Sequence, residues 1–296
     1  MNVTLSTQLC ALCTFSAAIV GCRFDVGGVT PGQDGGLGDA QHVDSATPET
    51  DGPPPPPQIP TVGLVQDLDG DLGISLSGTT VVGWSNSAPS GGDDVSAARG
   101  TVEMSPDTLN GHAVVHFDSS SLAGDDEDAF DFGLSGSGFT WLVVVRSDAQ
   151  DNSRKNRVLG TLLNQSPYSG YTAGVFTNAN GTRPYADMVE SPGSGESYAD
   201  ADDEILDTWV IVAGRLSAAA SGTSTLEIVV DGRPASASTS IAYPVLDCGA
   251  LTIGAERVDG GEHFDGDVAR ILVYERPLPD AELDQAFEAL AALYGL

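Results

Sequence analysis

The carboxyl-terminal segment, residues 251–296, constrains the fold more than any other part of the sequence. An apolar run ends at Gly254, a polar turn follows, and apolar and polar residues then alternate from Phe264 to Tyr274. Alternation of this kind is typical of a strand, and its return after a glycine-rich turn predicts antiparallel pairing. A helical pattern closes the segment. We therefore expect two strands and a helix that pack together.

The closing helix indicates which of its sides is buried. Apolar residues recur at spacings of four, three and four, at Leu283, Phe287, Leu290 and Tyr294. This spacing places them on one side of a helix. Gly295 suits a left-handed cap at the helix end. We expect this helix to cover the edge of a β-sandwich.

The remainder of the chain from Thr61 reads as short strands separated by turns. It holds many of the 36 glycines and 17 prolines, and only 6% of all residues are aromatic, which favours a turn-rich β protein. Asp231-Gly232 predicts a tight hairpin turn, because both central residues of such a turn need positive φ. The pattern predicts roughly ten strands. The clearest are 113–117, 139–146, 157–163, 171–176, 209–216, 225–230, 251–253 and 264–274.

The last strand and helix also carry a motif, Phe-x-Gly-x-Val, then Tyr-x-Arg-x-Leu, then Asp-Ala-Glu, within residues 264–282. This order resembles the laminin-G-like branch of the concanavalin A-like lectin/glucanase superfamily. The opening strand at 63–67 and strands that contain Trp141 and Trp209 are similar as well. The resemblance implies an all-β, antiparallel jelly-roll β-sandwich with a short carboxyl-terminal helix over residues 61–296.

The amino terminus predicts export. Residues 9–20 form an apolar run that has the length of a signal-peptide core and is too short to span a bilayer. It ends Ile-Val-Gly-Cys, which resembles the bacterial lipobox. We therefore predict a lipoprotein signal peptide over 1–21, lipidation of Cys22, and anchoring at the outer membrane. No Lys or Arg precedes the apolar run, whereas export signals normally begin with positive charge. The alternatives are an ordinary secreted protein and a chain that is not exported.

A spacer follows the predicted anchor. Residues 22–60 are rich in Gly, Asp and Pro, include the proline run 53–57, and hold almost no bulky apolar residues. Such a composition cannot bury enough apolar surface to fold, and its proline run favours an extended conformation. We predict a disordered linker over 22–60 that holds the following domain away from a membrane.

Net charge limits the partners of the protein. The chain has 42 acidic and 12 basic residues, with a formal charge of −30. A field of this sign repels nucleic-acid phosphates and anionic lipid, so we predict no nucleic-acid partner and membrane contact through a lipid anchor alone. The charge is compatible with divalent cations, and equally with simple solubility.

The sequence lacks the motifs of the expected hydrolases. Retaining glycanases of this superfamily carry Glu-x-Asp-x-Glu on one strand face, and this pattern is absent. Neither a Gly-x-Ser-x-Gly elbow nor a His-Glu-x-x-His zinc motif occurs. His112 and His116 lie about 13 Å apart if the segment is a strand, too far to share one metal ion. We therefore predict that the protein is not an enzyme.

Calcium is the candidate cofactor, because laminin-G-like domains use a calcium ion at the rim. Two acidic loops supply the hard oxygen ligands that calcium prefers. Their candidate ligands are Asp125, Asp126 and Asp128 in the first loop and Asp202, Asp203 and Glu204 in the second. The alternative is solvated charge, since a chain this acidic has such loops by chance.

Exposed aromatic rings would serve sugar binding, because pyranose faces stack on them. The middle loops contain four candidate tyrosines, Tyr168, Tyr171, Tyr185 and Tyr198. Strand alternation also permits burial of Tyr171 and Tyr185. Cys248 lies beside a predicted strand and is interpreted as a small buried apolar residue.

Together these features predict a non-enzymatic cell-surface module that recognises a glycan or a protein. Two alternatives stay open: a structural or adhesion protein of the envelope that binds no sugar, and a divergent polysaccharide hydrolase. The ligand is not specified by any motif.

Overall fold

The computed structural model describes the sandwich domain with several gaps. The described residues are 56–132, 136–148, 155–163, 169–178, 181–189, 196–202, 204–218, 223–242 and 248–296. The predicted signal peptide, Cys22, most of the predicted linker, Tyr168 and Asp203 lie outside these residues.

Seventeen strands and one helix occur in the described residues, against roughly ten strands expected from the sequence. The strands are β1 (Leu64–Asp69), β2 (Ile74–Ser77), β3 (Thr80–Trp84), β4 (Val95–Arg99), β5 (Glu103–Leu109), β6 (His112–Asp118), β7 (Ser121–Ala123), β8 (Phe139–Ser147), β9 (Lys155–Gly160), β10 (Gly170–Asn178), β11 (Gly181–Val189), β12 (Glu196–Asp200), β13 (Trp209–Leu216), β14 (Thr223–Val230), β15 (Arg233–Ala242), β16 (Thr252–Ile253) and β17 (Asp265–Tyr274). The helix is α1 (Asp280–Tyr294).

All pairings between these strands are antiparallel, and they form two series. In the first, β17 pairs with β1 and β6 on one edge and with β8 on the other, and the order continues through β13 and β14 to β15. In the second, β2, β3, β4, β7, β16, β9, β10, β11 and β12 follow one another. The strand β5 joins the two series, because it pairs with β6 of the first and with β3 of the second. The architecture is a mostly β, concanavalin A-like sandwich, as the sequence predicted.

Two apolar layers hold this architecture together. Alternate residues of β8 enter different layers: Val143 and Val145 pack in the core between the sheets, whereas Leu142 and Val144 pack beneath α1. Burial on both faces explains why β8 reads as a continuous apolar run instead of an alternating one. The first sheet is therefore the middle layer of three.

The predicted helix and its buried side are confirmed, but α1 covers the outer face of the first sheet instead of the edge of the sandwich. Its predicted apolar residues are all buried, and Gly295 adopts the left-handed conformation with φ 71° and ψ 34°. Gly295 N–H donates to the carbonyl of Ala291, which satisfies one of the last helical carbonyls. Within the described residues, no helix is both long and apolar enough to cross a membrane.

The hairpin turn at Asp231-Gly232 is also confirmed. Both residues have positive φ, 50° and 69°, and they join β14 to β15. Every strand that the sequence predicted most clearly is present, with ends shifted by a few residues. The additional strands include β4 and β5, which are largely exposed and carry few bulky apolar residues.

A buried ionic network lies on β9, β10 and β11. Arg157 Nη1 is 2.5 Å from Asp187 Oδ2, and both side chains are buried. Arg157 Nε donates to Glu262 at 2.8 Å, and the Thr172 hydroxyl contacts both Arg157 and Asp187. Although burial alone lowers the pKa of the Arg157 guanidinium, the surrounding acidic and phenolic groups raise it overall. Arg157 therefore stays charged in the interior.

Candidate functional site

A row of polar side chains crosses five adjacent strands beside the area that α1 covers. Each member is the cross-strand partner of the next, so all of them project from one face of the sheet. The row consists of Glu103, His116, Asp267, Arg146 and Trp209, on β5, β6, β17, β8 and β13. We call these five residues the polar row.

Arg146 lies between Asp267 and Trp209 in the polar row. Its Nε donates to Asp267 Oδ2 at 3.0 Å, and its Nη2 contacts the same oxygen. On its other side the guanidinium carbon lies 5.5 Å from the centre of the Trp209 ring. Partial burial by itself lowers the pKa of Arg146, but the contacts with Asp267 raise it overall. Arg146 therefore fixes both neighbours while remaining a cation.

A histidine and two carboxylates converge at one end of the polar row. His116 Nδ1 is 3.0 Å from Asp267 Oδ1, and Asp148 follows β8 two residues after Arg146, on the same face. A cavity of about 290 Å³ opens here, lined by these residues together with Ser105, Pro106 and Asp107. Burial and the charge of Asp267 raise the pKa of Asp148. Asp267 is 1% exposed, so its charge is neutralised locally instead of by solvent.

A larger groove lies at the other end of the polar row, between β13, the β14–β15 turn and α1. Its volume is about 460 Å³. Trp209 and the apolar side chains of Ile211 and Phe287 line it, and acidic residues bound it. Those acidic residues are Asp231, Asp284 and Glu288. We call this cavity the Trp209 groove.

Local structure explains how the Trp209 groove is built. Residues 284, 287, 288 and 291 of α1 follow the three- and four-residue spacing of one helix side. Asp231 sits in the predicted tight turn, and its Oδ1 accepts the backbone N–H of Ile211 at 2.9 Å. One carboxylate oxygen is thus used to hold the turn against β13. The other oxygen can accept a hydrogen bond from a ligand.

Among the described residues, neither predicted calcium loop brings three side-chain ligand atoms close together. Asp125 and Asp126 are exposed, and their backbone N–H groups donate to Asp93 Oδ2 at 2.7 and 3.0 Å. Asp126 Oδ1 in turn accepts the N–H of Asp128. Among the described residues, the one group with three mutually close ligand atoms is His116, Asp148 and Asp267. Backbone N–H groups of the first loop therefore hold it against Asp93 and against its own Asp126.

The second predicted loop is likewise solvent-facing where it is described. Asp202 is exposed and pairs with Arg183 at 3.0 Å, and Glu204 is exposed. Asp203 lies outside the described residues. The sequence alone does not distinguish a solvated loop from a coordinating one, because acidic composition is the same for both.

The predicted tyrosine rim requires a correction. Tyr171 and Tyr185 are 1% and 3% exposed, so neither ring offers a face to a sugar. Tyr171 stacks with Phe139 in the core, and Tyr185 lies under Arg157. Tyr198 is 60% exposed, and Tyr168 lies outside the described residues. Burial raises the pKa of both Tyr171 and Tyr185.

The sequence did not predict the polar row, and it did not indicate that Trp209 lines a groove. Trp209 was interpreted as a strand marker, and Asp267 as part of the fold motif. A signal was present, since Trp209, Arg146 and Asp267 are polar or amphipathic residues within otherwise apolar strands. Their assembly depends on strand pairings that are distant in sequence.

Solved structures similar to the domain include sugar-binding proteins. A Trypanosoma rangeli sialidase in complex with sialic acid matches with a TM-score of 0.54 and 17% identity, over 78% of this chain and 34% of the sialidase chain. Botulinum neurotoxin type C, in a structure concerned with its dependence on two ganglioside molecules for cell entry, matches with a TM-score of 0.55 and 12% identity. That match covers 77% of this chain and 51% of the neurotoxin chain.

These similarities concern the fold. The chain spans about a third of the sialidase and about half of the neurotoxin chain that it matches. Comparison with curated protein sequences gave no match.

A sequence model of a known family matches residues 123–284, which include β8 to β17 and the start of α1. The matched region covers more than half of the chain and contains both ends of the motif recognised in residues 264–282. The chain therefore belongs to the concanavalin A-like lectin/glucanases superfamily.

Proposed function

We propose that the protein is a glycan-binding module that acts without hydrolysing its ligand. The observation that carries this proposal is the Trp209 groove, in which an aromatic ring lies beside exposed carboxylates. Aromatic rings stack on the apolar face of a pyranose, and carboxylates accept hydrogen bonds from sugar hydroxyls. The groove supplies both kinds of contact in one place.

Size and rigidity support this proposal. A groove of about 460 Å³ falls within the usual range for small-molecule sites. Trp209 is held from one side by Arg146, and Phe287 is fixed in the apolar layer under α1. A ring that is already ordered loses little side-chain entropy when a sugar binds.

The comparisons support the same class of ligand. The similar structures include a sialidase in complex with sialic acid and a neurotoxin whose cell entry depends on interaction with gangliosides. Because the sequence identity is low, the position and the specificity of any sugar site must be argued from the residues of this chain.

Binding without hydrolysis is supported by the carboxylates themselves. The Glu-x-Asp-x-Glu pattern is absent from the sequence, and Asp284 and Glu288 are exposed on α1. The general acid of a glycosidase usually lies in a buried apolar pocket. Exposed side chains on a helix surface lack that environment.

A glycan array tests the proposal directly. We expect the wild-type protein to bind a subset of glycans, and Trp209→Ala to lose that binding by about tenfold or more, which corresponds to about 1.4 kcal/mol. Leu76→Ala is the control, because it removes an exposed apolar side chain on β2, outside the groove. A flat array for the wild-type protein would leave the structural or adhesion role. Equal loss of glycan binding in both variants would show that binding does not depend on the Trp209 groove.

Hydrolysis is tested separately by incubating the protein with β-glucans, galactans and alginates and measuring new reducing ends. We expect no turnover. Turnover that disappears in Glu288→Gln would assign a hydrolase instead.

We also propose that the module is displayed at the outer membrane through a lipid on Cys22, with residues 22–60 as the spacer. Support comes from the lipobox-like sequence before Cys22. Metabolic labelling with a fatty acid should mark the wild-type protein and not Cys22→Ala. Equal labelling of both would exclude the anchor, and release of the unlabelled wild type to the medium would indicate ordinary secretion.

A further inference from the structure

We propose that His116, Asp148 and Asp267 form a binding site for a divalent transition-metal ion, for which Zn²⁺ is the best-suited probe. The three residues come from β6, the end of β8 and β17. One imidazole nitrogen and two carboxylate oxygens lie within 4.8 Å of one another. This site is separate from both acidic loops considered above and does not depend on glycan binding.

The spacing of the first two ligand atoms matches metal coordination. His116 Nδ1 and Asp267 Oδ1 are 3.0 Å apart. Zinc bonds to such atoms are about 2.0–2.1 Å long, and two atoms at this separation then subtend an angle of roughly 90° at the metal. The metal ion takes the place of the proton that joins Nδ1 to Oδ1. The imidazole then binds through Nδ1 and carries its hydrogen on Nε2, while any second proton passes to solvent.

Arg146 leaves Oδ1 of Asp267, the oxygen that would bind the metal ion, accessible. It contacts Oδ2 of Asp267, whereas His116 faces Oδ1. Arg146 can therefore remain in place and orient the carboxylate while Oδ1 binds the metal, which is the usual arrangement of an outer hydrogen-bond partner. The backbone N–H of Asp148 donates to the carbonyl of Asp265 at 3.0 Å, which fixes the third ligand near the other two.

The local charge favours a cation. Asp107, Asp148 and Asp267 all lie within 4 Å of the Arg146 guanidinium. Three carboxylates therefore surround one positive charge, and the cluster is negative before a metal ion arrives. The cation would also relieve the repulsion between Asp148 and Asp267.

The donor set decides which ion fits. Calcium requires six to eight oxygen ligands, whereas the three side-chain ligand atoms that lie close together are two carboxylate oxygens and a nitrogen. A mixed set of imidazole and carboxylate suits zinc and its neighbours in the first transition row. The adjoining cavity of about 290 Å³ has room for water or a ligand atom to complete the coordination.

Calorimetric titration of the whole, metal-stripped chain with ZnCl₂ tests the site. We expect a binding component that is weakened by about tenfold or more in both His116→Gln and Asp148→Asn. His112→Gln is the matched control, because His112 lies on the same strand and contacts the carboxylate of Asp71. Its zinc binding should equal that of the wild type. Thermal melting without metal checks the folding of each variant. If His116→Gln does not fold, Asp148→Asn alone tests the site.

Cobalt substitution separates this site from the cysteines near the amino terminus. A site of nitrogen and oxygen ligands gives visible Co²⁺ bands without thiolate charge transfer, and those bands should vanish in His116→Gln. The proposal is overturned by zinc binding that is unchanged in both variants, by thiolate charge transfer alone, by equal weakening in His112→Gln, or by tighter binding of Ca²⁺ than of Zn²⁺.

Discussion

The guanidinium of Arg146 lies over the ring of Trp209, with 5.5 Å between Cζ and the ring centre. The two residues are cross-strand partners on β8 and β13, so the contact follows from strand register. A cation over a tryptophan ring contributes roughly 0.5–1 kcal/mol at a partly exposed position. This contact connects the Trp209 groove to the metal-ligand corner, because Arg146 also holds Asp267.

Trp209 should report on ligand binding by fluorescence. The chain has three tryptophans, and Trp84 and Trp141 are each 1% exposed. We therefore expect acrylamide to quench mainly Trp209, and a bound glycan to reduce that quenching. Trp209→Phe should remove the quenchable emission. Equal quenching of the wild type and Trp209→Phe would show that another tryptophan is accessible.

Gly214 is predicted to tolerate no side chain. A Cβ atom at this position would lie 2.2 Å from Cζ2 of Trp141, which is buried between the sheets. We expect Gly214→Ala to lower the free energy of unfolding by about 2–4 kcal/mol through overpacking. Gly83→Ala is the control, since its Cβ would meet no atom closer than 3.5 Å. Urea unfolding should separate the two variants; similar midpoints would contradict the packing argument.

The buried ionic network should be sensitive to loss of its cation. Arg157→Met leaves Asp187 buried without this charge partner, and we expect a loss of about 3–5 kcal/mol in the free energy of unfolding. Arg183→Met is the control, because its partner Asp202 is 80% exposed and such surface pairs contribute at most about 1 kcal/mol.

A double-mutant cycle with Arg157→Met and Asp187→Asn isolates the coupling. We expect the double variant to be more stable than the sum of the two single effects predicts. Strict additivity would show that the two side chains do not stabilise each other.

Stability should fall at alkaline pH. Burial raises the pKa of Tyr171, Tyr185, Tyr274 and Tyr294. The folded state therefore keeps protons that the unfolded chain loses above about pH 10, and the free energy of unfolding decreases as pH rises beyond that value. Below it, these tyrosines contribute no pH dependence. Phenolate absorbance should increase together with the loss of β circular dichroism.

Tyr171→Phe sharpens this prediction. The Tyr171 hydroxyl is buried and has no hydrogen-bond partner among the described residues, so its removal should stabilise the protein by about 1 kcal/mol at neutral pH. It should also move alkaline unfolding to higher pH. Phenolate formation by the buried tyrosines in a fully folded protein would contradict the alkaline expectation. A Tyr171→Phe variant no more stable than the wild type at neutral pH would contradict the other.

Local patterns in the sequence were sufficient for the elements they encode. The side of α1 that is buried, the left-handed Gly295 and the positive φ values of Asp231 and Gly232 all depend on residues a few positions apart. The doubly buried β8 was also recognisable, because a strand between two apolar layers is apolar throughout. Strands such as β4 and β5 were missed, since exposed strands of polar residues resemble loops in composition.

The sequence by itself determined the family, the sandwich and the closing helix, because hydrophobic periodicity and turn chemistry are short-range properties. Tertiary structure decided which polar residues meet. Strand register brings His116 to Asp267 across 151 positions and Arg146 to Trp209 across β8 and β13, and it buries Tyr171 and Tyr185 while leaving Tyr198 exposed. Register depends on pairing between distant segments, so the candidate sites became visible only when the sheets were assembled.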